Sequence, residues 1–80
     1  MLNPQWLRSF VVLADVGSFT RTADQLGLTQ AAVSQHVRHL EAQLGTLVIR
    51  QPRRMELTPA GHALLAYCDE MEQADMRLRL

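Results

Sequence analysis

Lysine is absent from this 80-residue chain, and all eight basic residues are arginine. Its positive charge therefore consists wholly of planar guanidinium forks, each able to grip two oxygens at once. Cysteine occurs once, at Cys68, which excludes a disulfide framework. Cys68 falls inside a helical pattern and is expected to be a small packing residue in a reducing compartment. There is no charged-then-apolar leader and no long apolar run, so neither a signal peptide nor a membrane span is expected, and the chain is assigned to the cytoplasm. Net charge is lacking too, at zero, but the zero conceals a division along the chain. Residues 1 to 54 set Arg8, Arg21, Arg38, Arg50, Arg53 and Arg54 against Asp15, Asp24 and Glu41. Residues 55 to 80 set Arg77 and Arg79 against Glu56, Asp69, Glu70, Glu72 and Asp75. The first part is a net cation and the second a net anion. Eighty residues, 48% of them apolar, make one small domain whose core comes from helices packed together; a deep substrate pocket and an enzyme are not expected.

What is present begins with residues 20 to 45. Two helical patterns are separated by a break at Gly27-Leu28-Thr29. Gly27 can take the left-handed conformation that ends one helix, and Thr29 can cap the free amides of the next. At about 100° per residue, Val33, Val37, Leu40 and Leu44 of the second helix form one stripe expected to pack inward. Gln30, Ala31, Ser34, Gln35 and Arg38 gather opposite, and the first three turns hold no acidic residue. Those side chains suit base edges in a major groove: glutamine pairs with adenine, serine donates or accepts, and alanine meets a thymine methyl. Arg38 could reach a phosphate or a guanine. The spacing predicts a helix-turn-helix whose second helix reads duplex DNA.

Upstream, Asn3-Pro4 is a cap and first-turn signal, and Trp6, Leu7, Phe10, Val11, Leu13 and Ala14 recur at helical spacing up to Gly17. Ser18 caps the next helix, in which Phe19, Ala23 and Leu26 turn inward. After Gly45 the period changes, and Leu47 to Arg50 and Met55 to Leu57 read as strands about a turn at Gln51-Pro52-Arg53-Arg54. A hairpin with Arg53 and Arg54 at its tip suits the backbone or a neighbouring minor groove, where arginine is favoured by the negative potential. Thr58-Pro59 starts a helix that continues to Leu80. Its 22 residues span roughly 33 Å, more than this domain can cover. Leu64, Tyr67, Met71, Ala74 and Leu78 follow the three-and-four spacing of a coiled-coil seam, so a partner helix from a second copy is expected, with folding back on the first helix as the alternative for the first two turns only. The pattern stops in mid-helix at Arg77-Leu78-Arg79-Leu80, which reads as a piece of something longer.

Two other classes compete. In the first, the long helix binds another protein and the helix-turn-helix is only scaffold. The second is a metal or catalytic site. His36 and His39 lie three apart and His62 starts the long helix, but Cys68 and Asp69 sit on a distant helix and complete no zinc site. Ser34, His39 and Asp24 can be assembled on paper without a strained nucleophile turn or an oxyanion donor. No cofactor, metal or catalytic residue is expected, and the histidines are read as flanking the core or lying near the backbone.

Over nearly its whole length the chain resembles the N-terminal DNA-binding domain of LysR-type bacterial transcriptional regulators. The resemblance is carried by Phe10 through Gly17-Ser18-Phe19-Thr20 with Ala23 and Leu26, then Thr29-Gln30-Ala31-Ala32-Val33-Ser34, Leu40-Glu41 and Leu44-Gly45. It continues through Arg50 and Arg53 to Leu57-Thr58 and Ala60-Gly61. The resemblance implies a mainly α winged helix-turn-helix over residues 1 to 58: three helices and a two-stranded β-hairpin wing. A linker and dimerisation helix over 59 to 80 would follow, cut short before an effector-binding domain that takes a small molecule. It places Gln30, Ala31, Ser34 and Gln35 at bases, and Ser18, Thr20, Thr29 and Arg38 near phosphates, with Arg50, Arg53 and Arg54 on the wing side. It implies a homodimer on an inverted repeat, through Leu64, Tyr67, Met71, Ala74 and Leu78, with a tetramer open to a full-length regulator. The chain departs from the family at Ala31, where proline is common, at Val48, where phenylalanine is usual, and at Pro52-Arg53-Arg54.

Overall fold

Each helix in this computed structural model, which describes residues 2–79, starts and stops where the local chemistry requires. The first, α1 (Pro4–Val16), is capped by Asn3, whose side chain accepts from the amides of Gln5 at 2.8 Å and Trp6 at 3.4 Å. The second, α2 (Phe19–Leu26), is capped by Ser18, which accepts from Arg21 N at 3.1 Å. Gly27 ends it with φ +67°, a conformation that costs other residues about 1 kcal/mol or more. The third, α3 (Gln30–Leu44), opens on Thr29, whose hydroxyl accepts from Ala32 N at 3.0 Å. The predicted three-helix array and its break at Gly27-Leu28-Thr29 are therefore what the chain adopts.

The wing consists of β1 (Val48–Gln51) and β2 (Arg54–Leu57), antiparallel and in register from Val48 opposite Leu57 to Gln51 opposite Arg54. The hairpin is one residue tighter at each side of its turn than the sequence predicts. Its tip is Pro52-Arg53 alone, and Arg54 belongs to the strand. Leu47, expected to open the first strand, precedes it and is fully buried. Its amide and that of Val48 both donate to Oε2 of Glu41, at 2.9 and 3.3 Å, so a carboxylate on α3 fixes where the wing leaves the core. The last helix, α4 (Pro59–Arg79), starts at Thr58, whose hydroxyl donates to Thr46 O at 2.6 Å and accepts from Gly61 N at 3.0 Å.

The core is one cluster drawn from every helix and from the entry to the wing. Leu7, Phe10 and Leu13 of α1 meet Phe19 and Ala23 of α2 and Val33, Val37 and Leu40 of α3, with Leu47, Val48 and Leu64 closing it. Full burial of a side chain such as Phe10 contributes roughly 1.5–3 kcal/mol, and this cluster is what holds the short helices in place. Two expectations need correction. Leu44, placed in the inward stripe, is 40% exposed, because a seven-residue spacing drifts on a straight helix and the last turn of α3 lies at the rim of an apolar groove with Leu2, Ala63 and Tyr67. Leu64, placed in a dimer seam, is only 5% exposed because the first turns of α4 still pack on the core. From Asp69 to Arg79 every residue of α4 is exposed, and the molecule measures 43 Å along its longest axis.

Candidate nucleic-acid interface

The N-terminal ends of α2 and α3 open onto one side of the molecule, and neither has an acidic residue in its first turn. Unpaired amides and the aligned peptide dipoles make such ends attractive to anions. The wing comes down beside them. Ser18, Phe19, Thr20 and Gln30 line a single polar cleft together with Arg50, Gln51, Pro52, Arg53 and Arg54. The structure thus brings together predicted groups that lie more than thirty residues apart in sequence.

Arg50 is the clasp. Its guanidinium carbon lies 3.6 Å from the centre of the Phe19 ring, and Nη2 donates to Ser34 Oγ at 3.0 Å. One wing side chain is therefore anchored on α2 and α3 together, which fixes the hairpin against the outer face of α3. Sequence reasoning placed Arg50 only on the wing side and did not foresee this contact; the signal available was an arginine in the strand and no acidic residue in the first turn of α2 or α3. Arg54, expected at the tip, is instead held along the strand by a 2.9 Å ion pair with Glu56 and a 2.8 Å bond to Gln51 Oε1. Among the described residues the only other ion pair is Arg79 with Asp75, so Arg53 and Arg50 in the cleft, Arg21 on α2 and Arg38 on α3 have no carboxylate partner among them.

On α3 itself Gln30, Ala31, Gln35 and Arg38 are exposed and Ser34 is half-buried beneath Arg50. Thr20 reaches Gln30 Oε1 at 3.4 Å, and Arg38 donates to Gln35 Oε1 at 3.0 Å. Ser18 and Thr29 spend their hydroxyls as helix caps and so orient the amides around them. Of the three histidines, His62 is exposed and the other two have partners on α1. His36 Nδ1 shares a 2.7 Å hydrogen bond with the buried Ser9, and His39 stacks on Trp6 with ring centres 4.5 Å apart. No group of three or more metal-ligating side chains occurs among the described residues, and none of their helices is long and apolar enough to cross a membrane.

Of the residues expected in a seam, Tyr67, Met71 and Leu78 are 42%, 44% and 86% exposed, and Ala74 is exposed between them. They form an apolar line on a helix that has left its own core. On the other side of α4, Leu65 and Cys68 pack toward α1, where burial pushes the Cys68 thiol above its ordinary pKa.

Comparison with known proteins matches this geometry. Residues 4–62 match the family described as bacterial regulatory helix-turn-helix protein, lysR family. The HTH-type transcriptional activator AmpR of Providencia stuartii is 57% identical over 60 residues, 74% of this chain and 20% of that protein. The oxidised form of OxyR from Corynebacterium glutamicum superposes with a TM-score of 0.85 at 32% identity, over 98% of this chain and 26% of that one. A complex of the CbnR DBD with DNA superposes with a TM-score of 0.82 at 32% identity, over 91% of this chain and 85% of that one. The chain spans between 20% and 27% of the length of the curated relatives it matches.

Proposed function

Because the chain belongs to the lysR family of bacterial regulatory helix-turn-helix proteins, we propose that it binds operator DNA sequence-specifically, with α3 in the major groove and the wing at the flanking minor groove. One observation carries this reading: the N-termini of α2 and α3 and the arginines of the wing line a single polar cleft, clasped by Arg50. Gln30, Ala31, Ser34 and Gln35 read bases along the exposed face of α3, and Arg53, at the hairpin tip, enters the minor groove, where its planar cation meets the strongest negative potential. Ser18, Thr20, Thr29 and Arg38 lie toward the phosphates, and Arg50 couples the two reading elements. The DNA complex of the similar CbnR DBD supports the docking.

The unit that binds DNA is residues 1 to 58, and 59 to 80 are the linker segment, of which Pro59–Arg79 form α4 and residue 80 lies outside the described residues. Two copies pair through Tyr67, Met71, Ala74 and Leu78, which sets two recognition helices on an inverted repeat. The protein acts in the bacterial cytoplasm, where its DNA is, and regulates transcription as its relatives do. The chain covers about a quarter of the length of its relatives, and an effector domain and a tetramer are proposed only for a full-length regulator that contains it.

The test is fluorescence anisotropy of a labelled operator duplex across a salt series. Binding weakens linearly with the logarithm of salt, and Arg53→Ala lowers the slope by about one with a similar loss on all sequences. Binding insensitive to salt would sink the DNA reading, and an unchanged slope would remove Arg53 from the contact.

A further inference from the structure

A side-chain amide has two ends of similar shape and opposite chemistry: one only accepts hydrogen bonds and the other only donates. On α3 the two ends of Gln35 have different neighbours. Arg38 donates from Nη2 to its Oε1 at 3.0 Å, and its Nε2 lies 3.3 Å from Nε2 of His39. Turning the amide by 180° would set its NH2 group against a guanidinium that can only donate, so Arg38 sets the direction of the amide. With the amide so directed its NH2 group faces Nε2 of His39, which accepts in the tautomer that carries its hydrogen on Nδ1. The His39 ring is itself held, stacked on Trp6 with planes 16° apart.

Neither lock exhausts the amide. Its oxygen keeps a second lone pair and its nitrogen a second hydrogen, an acceptor and donor that match N6 and N7 of one adenine. Inverting an A·T pair moves the adenine across the groove and reverses the order of those two atoms. A fixed amide therefore matches one orientation of the pair, while a freely turning amide adapts to both.

We propose that His39 is a positioning residue that holds the Gln35 amide in the direction Arg38 sets, and so makes this chain distinguish a base pair from its inversion at the position Gln35 reads. The inference rests on the base-reading role of Gln35 proposed above.

Selection of bound sequences from random duplexes by the 80-residue chain and by Gln35→Ala locates that position as the one whose preference collapses. His39→Phe keeps a ring against Trp6 and removes the acceptor, whereas His39→Gln removes the ring and keeps an acceptor. His39→Phe is expected to keep the salt slope while its preference for the pair over its inversion falls at least about fivefold, the low end for one bidentate contact. His39→Gln is expected to retain the preference. If His39 served only to pack on Trp6, the order of harm would be reversed. Unchanged discrimination in His39→Phe overturns the inference and leaves Gln35 a base reader, while a Gln35→Ala chain altered at no position overturns both. Independently of any variant, the Gln35 side-chain N–H in the free chain is expected to show an NMR order parameter approaching that of rigid backbone, about 0.85; one below about 0.6 overturns the lock.

Discussion

Gly61 lies in the first turn of α4, buried against the loop that leads into the wing, and Gly61→Ala sets two effects of opposite sign against each other. Alanine in place of glycine favours a helix by about 1 kcal/mol. Here, however, the added methyl group would overlap the Leu47 carbonyl oxygen and lie 3.2 Å from Leu57 Cβ. Relieving that overlap moves α4 away from the wing entry, at the roughly 1–3 kcal/mol typical of overpacking a tight site. The same carbonyl accepts from Thr58 N at 3.0 Å, and displacing it puts at risk a bond worth about 1 kcal/mol. The net expectation is a loss of roughly 1–3 kcal/mol, which in a domain of this size lowers the thermal midpoint by roughly 10 °C. Thermal unfolding followed by circular dichroism measures it, with His62→Ala, an exposed change on the same turn, as a control that shifts little. A midpoint in Gly61→Ala equal to or above that of the parent would refute the reasoning, since helix propensity would then have outweighed contact and α4 would be free to slide from Leu47.

Three further expectations follow from single residues. Thr22 is fully buried and its hydroxyl has no hydrogen-bond partner among the described residues, so Thr22→Val, which keeps the shape and removes the polar atom, is expected to stabilise by roughly 1 kcal/mol; a lowered thermal midpoint would show that the hydroxyl is satisfied. Met71→Glu places a charge on the exposed apolar line of α4 and is expected to convert the proposed dimer to monomer in sedimentation equilibrium without lowering helicity, and an unaltered dimer would remove α4 from the interface. Burial raises the Cys68 pKa, so at mildly alkaline pH the native thiol should react with iodoacetamide more slowly than the unfolded chain does. Because the folded state disfavours the thiolate, the corresponding stability is present below the ordinary thiol range and lost as pH rises through it; equal alkylation rates in the two states would contradict the shift.

The helices were legible because their signals are local. Asn3, Ser18 and Thr29 cap as their positions dictate, and Gly17 and Gly27 take positive φ where the patterns stop. The exposed face of α3 could be read for the same reason, since helical periodicity alone separates Gln30, Gln35 and Arg38 from Val33, Val37 and Leu40. The hairpin was legible in kind but not in register, because strand pairing is set across the ladder; pairing of Gln51 with Arg54 moved Arg54 off the tip and beside Glu56. Leu44 and Leu64 fit their stripes by spacing, yet one lies at the rim and the other in the core, because burial depends on where the neighbouring helix ends.

Sequence by itself determined which segments coil, where they break, which side chains face outward and that the cations are arginines placed mostly before residue 55. Tertiary packing decided which of those groups work together. Arg50 joins Phe19 and Ser34 across elements, Glu41 holds the start of the wing, His36 is spent on Ser9, and His39 comes to rest between Trp6 and Gln35. Caps and periodicity act over a few residues and are written in the order of the chain, whereas these contacts exist only once distant segments are pressed against a common core.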